Sequence, residues 1–360
     1  MNEFLSILRS QAKSQGLVFL GVAPLAYPLD AVRFENWLAE GNQGEMDYLN
    51  QYLEVRKDPS QLLPNSRAAI ILGLPYDLGD AWPFSGKPRA AMYARFKDYH
   101  RLFKRRGQAL IADCQKRLAE LGSEQFRVVV DTAPVLERAL AARTERGFIG
   151  KNTCYIHPQL GSLLLLGEII TTYDFALEEH LPRDSTLRTA EGGCGSCRLC
   201  QDACPTGALD VDYQIDATKC LSYWTIEYRG PIPERFWPHL ATYYYGCDIC
   251  QLACPYTRKA RGPAVSASIE ERVFPPLEEV AVMDQQKYEE CFGGTPMTRA
   301  KRNGLRRNAL IALTVTDHPN LDKILMQAEN DNASPIRETL DQIRLFRSRS
   351  EGTSHENSTS

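Results

Sequence analysis

No apolar run in this sequence approaches the roughly 18 residues that a membrane-spanning helix needs. The most apolar stretch, SLLLLGEII at 162–170, is interrupted by Gly167 and Glu168. The opening segment, MNEFLSILRSQAKSQGLVFLGVAP, carries Glu3 early, has no twin-arginine pair and shows no small-residue cleavage pattern behind an apolar core, so a secretion signal is not expected. These absences predict a cytoplasmic protein with no membrane partner. Net charge is nearly absent too. Forty-two Lys and Arg against 45 Asp and Glu leave a formal −3 over 360 residues, so the whole-molecule field gives no argument for a polyanionic partner and only local clusters can. With 43% hydrophobic and 24% charged residues the composition is globular. The length allows two or three cores.

Two cofactor signatures are also missing. There is no G-x-G-x-x-G, so a nicotinamide or flavin in a Rossmann setting is not supported. There is no D-x-H-x-x-G, by which some cobalamin proteins supply a histidine to cobalt. DYHRLF at 98–103 comes nearest, with Phe103 in the glycine's place.

What the sequence does have is cysteine, eleven in all. In a reducing compartment, clustered cysteines read as metal ligands rather than disulfides. EGGCGSCRLCQDACP at 191–205 places Cys194, Cys197, Cys200 and Cys204 in a C-x2-C-x2-C-x3-C-P run. That run serves 4Fe–4S clusters, and its fourth cysteine ligates the other cluster of a two-cluster module. Cys220, then Cys247, Cys250 and Cys254 in YGCDICQLACP, form the second group. The exchange predicts one cluster on Cys194, Cys197, Cys200 and Cys254, and another on Cys204, Cys220, Cys247 and Cys250. Paired zinc sites are the alternative, but zinc ribbons lack the third cysteine and trailing proline. Cys114, Cys154 and Cys291 lie outside the pattern and read as ordinary, partly buried side chains.

The apolar runs AAIILGLPY (68–76), FRVVVDT (126–132) and SLLLLGEIITT (162–172) alternate with helical segments such as YHRLFKRRGQALIADCQKRLAEL (99–121), which predicts an α/β domain over 1–185. Residues 186–262 hold all the clustered cysteines and read as a metal-organised domain. Residues 263–347 repeat apolar positions at helical spacing, as in RNGLRRNALIALTV (302–315) and SPIRETLDQIRLF (334–346). Residues 348–360 have almost nothing to bury and are expected to be disordered.

Within the first domain Asp131 ends FRVVVDT and is followed by Glu137, Arg138 and GFIGKNT (147–153). A carboxylate at a strand-to-loop position sits where α/β sites gather, and a pocket there would let it donate a proton. D-T-A-P also reads as a helix N-cap ahead of a proline-initiated helix, and the spacing alone favours that cap.

DTAPVLERALAARTERGFIGKNT, LGSLLLLGEIITT, EGGCGSCRLCQDACPTGAL, IDATKCLSYWTIEYRGPIPE and YGCDICQLACP together resemble the epoxyqueuosine reductases, iron–sulfur and cobalamin enzymes of queuosine-tRNA biosynthesis. The likeness is dense from 45 to 262 and continues through PMTRAKRNGLRRNALIAL. It implies an α+β multidomain enzyme with a nitroreductase-like α/β cobalamin-binding domain, a ferredoxin-like domain carrying two 4Fe–4S clusters, and a HEAT-like helical region. It further implies that electrons from an unidentified donor pass through the clusters to cobalamin, held base-off without a protein histidine. Epoxyqueuosine at the wobble position of a tRNA with a GUN anticodon would then be reduced to queuosine. Asp131 falls on the family's proton donor. Arg56, Ala94, Asp131, Thr153, Glu168 and Ser222 fall on positions implied to line the corrin, although Phe96 stands where the family usually has glycine.

A tRNA substrate requires basic surface. MTRAKRNGLRRN (297–308) is free of acids, and Arg299, Arg302, Arg306 and Arg307 are its candidate phosphate contacts. RLFKRR (101–106) and RKAR (258–261) are further basic runs, each of which reads otherwise as a solvated face. Tyr243, Tyr244 and Tyr245 offer rings for base stacking but read rather as core. Two other function classes are a ferredoxin-type electron-transfer module, which predicts no corrinoid and no dependence on Asp131, and a reductive dehalogenase-like cobalamin enzyme. The missing twin-arginine signal argues against the latter.

Overall fold

The computed structural model describes residues 3–26, 28–77, 87–118, 120–144, 146–177, 192–260, 274–330 and 333–356. The chain divides into two compact units, each assembled from three separated segments. The first comprises Met1–Trp82, Asp98–Thr218 and Asp248–Glu270; the second comprises Pro83–Lys97, Lys219–Cys247 and Glu271–Ser360. The three consecutive segments read from the sequence are thus interleaved, and the cysteine-rich stretch 186–262 contributes to both units.

The first unit is built on a four-stranded sheet in the order Val18–Pro24, Ala68–Pro75, Leu164–Thr171, Phe126–Val129, with every neighbouring pair antiparallel. Alternating runs predicted an α/β domain; the observed sheet is antiparallel throughout, as in an α+β fold. The reason is that Leu164–Thr171 inserts between Ala68–Pro75 and Phe126–Val129, antiparallel to both. Its central position fits its mostly apolar composition, broken only by Gly167, Glu168 and Thr171: all of its residues except Leu165 are buried. On one side of the sheet lies Phe103, from the helix Tyr99–Gln115. Gly167 admits its ring, since a Cβ there would stand 2.3 Å from Phe103 Cε1. Another cluster joins Leu20, Ile71, Val129 and Ile170 to Leu140 of the helix Glu137–Ala142.

A hairpin, Phe148–Ile149 against Tyr155–Ile156, turns through Gly150, whose N–H donates to Cys154 O at 2.9 Å. Beyond it, Gly161 has φ +68° and a Cβ there would lie 2.6 Å from Thr257 Cα. Ser162 N–H donates to Thr257 Oγ1 at 3.1 Å, fixing this close approach. Gly161→Ala is expected to cost about 1–3 kcal/mol, read as a lower urea midpoint. An unchanged midpoint would show that the turn relaxes freely.

In the second unit the helix Lys301–Val315 is buried continuously from Gly304 to Thr314. The strand Tyr243–Tyr245 pairs with Arg89–Ala90, and all three tyrosines are core residues. The helix Ser334–Glu356 runs past residue 348, where disorder was expected. Phe346 packs on Trp237 with ring centroids 5.1 Å apart, and Arg347 and Arg349 pair with Asp322 and Glu234, which carries the helical turn onward. Residues 357–360 lie outside the described residues. Among the described residues, no helix is long and apolar enough to cross a membrane.

Candidate active site

Asp131 lies just beyond the strand Phe126–Val129, with φ +38° and a side chain 57% exposed. It is not the helix cap that the spacing favoured. The helix starts six residues later at Glu137, behind Leu136, because the D-T-A-P segment forms bends instead of a first turn. Asp131 has another use for its carboxylate: Oδ2 lies 2.9 Å from His100 Nε2. His100 Nδ1 in turn lies 2.5 Å from Asp98 Oδ1. Asp98 is the N-cap of the helix Tyr99–Gln115 and accepts the His100 N–H at 3.0 Å, so the imidazole is oriented by its own helix start. The backbone N–H of Asp131 donates to Glu137 Oε1. A left-handed aspartate is held here from both ends.

Behind this loop Glu168 is fully buried and sits opposite Val129 in the sheet. Neither carboxyl oxygen meets a hydrogen-bond partner among the described residues. Burial, reinforced by Glu137 and Asp131, raises its pKa well above the carboxylate range. Burial and then Asp131 push Glu137 up to about 8, against the Asp131 N–H, Arg138 and His100, which pull it down. Both glutamates therefore hold their protons more tightly than an ordinary carboxylate does. Glu168 was expected to line a corrin; with no exposed surface it lies beneath the site instead. Because it binds its proton more tightly when folded, the stability it contributes is present below the ordinary glutamate pKa and is lost as pH rises toward its folded value, at about 1.4 kcal/mol per pH unit. Glu168→Gln is expected to lose about 1–3 kcal/mol less than the wild type between pH 5 and pH 8. Urea midpoints at the two pH values test this, and equal slopes would rule it out.

Arg138 carries the site to the hairpin by donating from Nη1 to Thr153 O at 2.6 Å. Thr153 holds φ +60° in the turn. The same turn reaches the cysteines: Lys151 N–H donates to Cys194 Sγ at 3.3 Å, and Asn152 Nδ2 to Cys250 O at 3.3 Å. Cys154, read as an ordinary side chain, has its thiol pKa lowered chiefly by the neighbouring Cys250 thiol, against its burial. Cys194 and Cys254 flank Phe148 and Ile156. The Cys200 thiol is pushed up to about 12 by burial and by the nearby Cys194, Cys254 and Cys197. Four thiolates at this spacing repel one another unless a cationic group lies among them, and an all-sulfur donor set suits iron–sulfur. Among the described residues no three His, Cys, Asp or Glu side chains stand close enough to share one ion. Four-iron clusters need no such crowding, because each cysteine binds a different iron. Cys114 is buried, which pushes its thiol up to about 11.

Of the remaining expected corrin contacts, Arg56 is half-buried with its guanidinium 5.9 Å from the Phe34 ring centroid. Ala94, in the turn Met92–Arg95 of the second unit, is fully buried and presents no surface, which removes it from the set. Ser222, in the same unit, is half-buried ahead of the turn Tyr223–Glu227. The candidate phosphate contacts divide. Arg299 is half exposed and pairs with Glu227 at 2.9 Å. Arg302 borders a surface hollow with Lys301, Gln285 and Tyr288. Arg306 and Arg307 are 2% and 1% exposed. Arg306 donates to Ala281 O, and Arg307 to Trp224 O, Tyr228 O and Gly230 O. Neither can meet a phosphate. Their helix face, read from charge as solvated, is the face turned inward. In the first unit Lys13, Arg105 and Arg106 border another hollow, while Arg261 of RKAR lies outside the described residues. His100 was missed by sequence reasoning as a partner of Asp131. Its signal is the D-x-H of DYHRLF at a helix start, where an N-cap aspartate orients a histidine in the first turn.

Residues 56–132 match the family model described as epoxyqueuosine reductase QueG, DUF1730, and residues 193–257 match a 4Fe–4S double cluster binding domain. The epoxyqueuosine reductase of Xanthomonas campestris pv. campestris is 34% identical over 343 residues, covering 92% of this chain and 92% of the relative. That of Gloeobacter violaceus is 36% identical over 320 residues, covering 85% and 94%. Among solved structures, epoxyqueuosine reductase with an epoxyqueuosine-modified tRNA-Tyr stem loop superposes with a TM-score of 0.75 at 26% identity, over 93% of this chain and 88% of that one. The Streptococcus thermophilus enzyme gives 0.75 at 27%, over 94% and 89%.

Proposed function

This chain belongs to the epoxyqueuosine reductase family, and from that premise we propose that it reduces epoxyqueuosine in tRNA to queuosine, with Asp131 as the proton donor to the epoxide oxygen. The observation that carries the reading is the placing of Asp131. It is an exposed carboxyl held by His100, on a loop whose backbone N–H donates to Glu137, over buried acids whose pKa values are raised.

Cys194, Cys197, Cys200 and Cys254, all in the first unit, would hold one 4Fe–4S cluster. Cys204, Cys220, Cys247 and Cys250 are assigned to a second on their spacing. The residues also suit a corrinoid bound without a protein histidine, because both ring nitrogens of His100, the nearest match to a cobalt-ligand motif, face carboxylates. When bound, cobalamin supplies a low-potential cobalt centre for two-electron reduction of the substrate. Arg56, Asp131, Thr153 and Ser222 remain the proposed corrin contacts, and Arg299 and Arg302 the proposed phosphate contacts. The partners are a GUN-anticodon tRNA carrying epoxyqueuosine and an electron donor. On this reading the enzyme works in the cytoplasm, where its tRNA substrate is, and its helical carboxyl-terminal part is the proposed HEAT-like region.

The test is anaerobic. The protein is reconstituted with iron, sulfide and cobalamin, given a strong reductant and epoxyqueuosine-containing tRNA, and the digested nucleosides are analysed by mass spectrometry. Queuosine is expected, with about eight iron atoms per chain. Full iron loading with no corrinoid bound and no queuosine would leave an electron-transfer module as the surviving reading.

A further inference from the structure

Removing the epoxide oxygen as water consumes two electrons and two protons, and both protons end on the same oxygen. One carboxyl group carries one proton, so delivering both through Asp131 requires that it be reloaded within a turnover. Resting on the function proposed above, we propose that His100 is the positioning residue that holds Asp131 and returns a proton to it, with Asp98 fixing the imidazole.

The geometry is a continuous chain, from Asp98 Oδ1 through His100 Nδ1 at 2.5 Å and His100 Nε2 to Asp131 Oδ2 at 2.9 Å. A neutral imidazole would point one lone pair at a carboxylate; the imidazolium satisfies both sides. Burial works to lower the pKa of His100, but hydrogen bonds to Asp131 and then Asp98, with their charges, outweigh it and raise the pKa above the ordinary value. Tyr99 stacks on the ring at 4.1 Å, and Glu137, with Arg138 beside it, lies within electrostatic reach from the neighbouring helix. The imidazole is 23% exposed, which gives it access to water.

The step balances. The first C–O bond breaks as Asp131 gives its proton to that oxygen, leaving a hydroxyl and the Asp131 carboxylate. His100 passes its Nε2 proton to Asp131 Oδ2 and becomes neutral, still donating from Nδ1 to Asp98. The second C–O bond breaks as Asp131 protonates the hydroxyl, which leaves as water. The two electrons of the proposed reduction end in the new C=C bond, and solvent returns two protons through His100, one reloading Asp131 and one restoring the imidazolium.

The experiment compares wild type, His100→Gln, His100→Ala and Asp98→Asn as reconstituted enzymes across pH. It also follows His100 by NMR titration in protein without corrinoid. His100→Gln is expected to lower kcat about 100-fold with the tRNA KM within about twofold, and to lose the alkaline fall in rate. Imidazole in the buffer should restore His100→Ala. In the wild type His100 should titrate above about 6.5, and less so in Asp98→Asn. A His100→Gln enzyme with wild-type rate and pH profile, a loss wholly in KM, or an ordinary His100 titration in the wild type would each overturn the proposal. If the wild type itself forms no queuosine, the function falls and this proposal with it.

Discussion

Asp131→Asn is expected to slow queuosine formation by about 100- to 10,000-fold while leaving iron content, corrinoid binding and tRNA KM unchanged. The substitution is nearly isosteric. Its backbone N–H still reaches Glu137, and its amide oxygen still accepts from His100, so both clasps on the loop persist. What disappears is an acidic proton. An amide neither gives one to the epoxide oxygen nor takes one from the imidazole. Asp131→Ala should be no slower chemically, but it removes the side-chain clasp as well and should loosen the loop. Single-turnover conversion followed by nucleoside mass spectrometry measures the first effect, and hydrogen exchange around 131–136 the second. A loss of rate that tracked lost iron or corrinoid would assign Asp131 to cofactor retention rather than proton transfer.

Arg307→Ala is expected to destabilise the second unit by about 3–5 kcal/mol. The guanidinium is 1% exposed and donates to the carbonyls of Trp224, Tyr228 and Gly230, with Nε and Nη2 also reaching Asn308 Oδ1. Asn308 continues the network to Thr225 O and Tyr244 O. Burial, aided by Arg229, brings the Arg307 pKa down to about 9, which shows how far the group is from water. Truncation strands three carbonyls and opens a cavity. Lysine should rescue poorly, because its compact ammonium cannot reproduce the planar fork. Arg299→Ala, at an exposed ion pair, should change stability by less than about 1 kcal/mol. Denaturant unfolding of the full chain tests both. A normal unfolding midpoint for Arg307→Ala together with a salt dependence of tRNA binding shallower by about one would return this arginine to the phosphate set.

The elements themselves were legible. Ala68–Pro75, Leu164–Thr171 and Lys301–Val315 lie where apolar runs and helical spacing predicted them. Pairing direction was not, since nothing local in LLLGEIIT says that two later-paired strands will flank it. The cysteine spacing carried its own chemistry, because ligand intervals are local. Burial of Arg306 and Arg307 was hidden for the opposite reason. A run of arginines reads as surface, and only the carbonyls of distant residues such as Trp224 and Gly230 make their burial affordable. His100 escaped because its partner is thirty-one positions away.

The interleaving of the two units bears on how the protein is made. Cys194, Cys197 and Cys200 emerge from the ribosome together, but Cys254 lies 54 residues after Cys200, and the first unit is not complete until Glu270. At about 5–20 residues per second, the three thiols wait about 3–11 s for the fourth. Iron delivered during synthesis would meet an incomplete set, so cluster assembly belongs after that stretch has been translated.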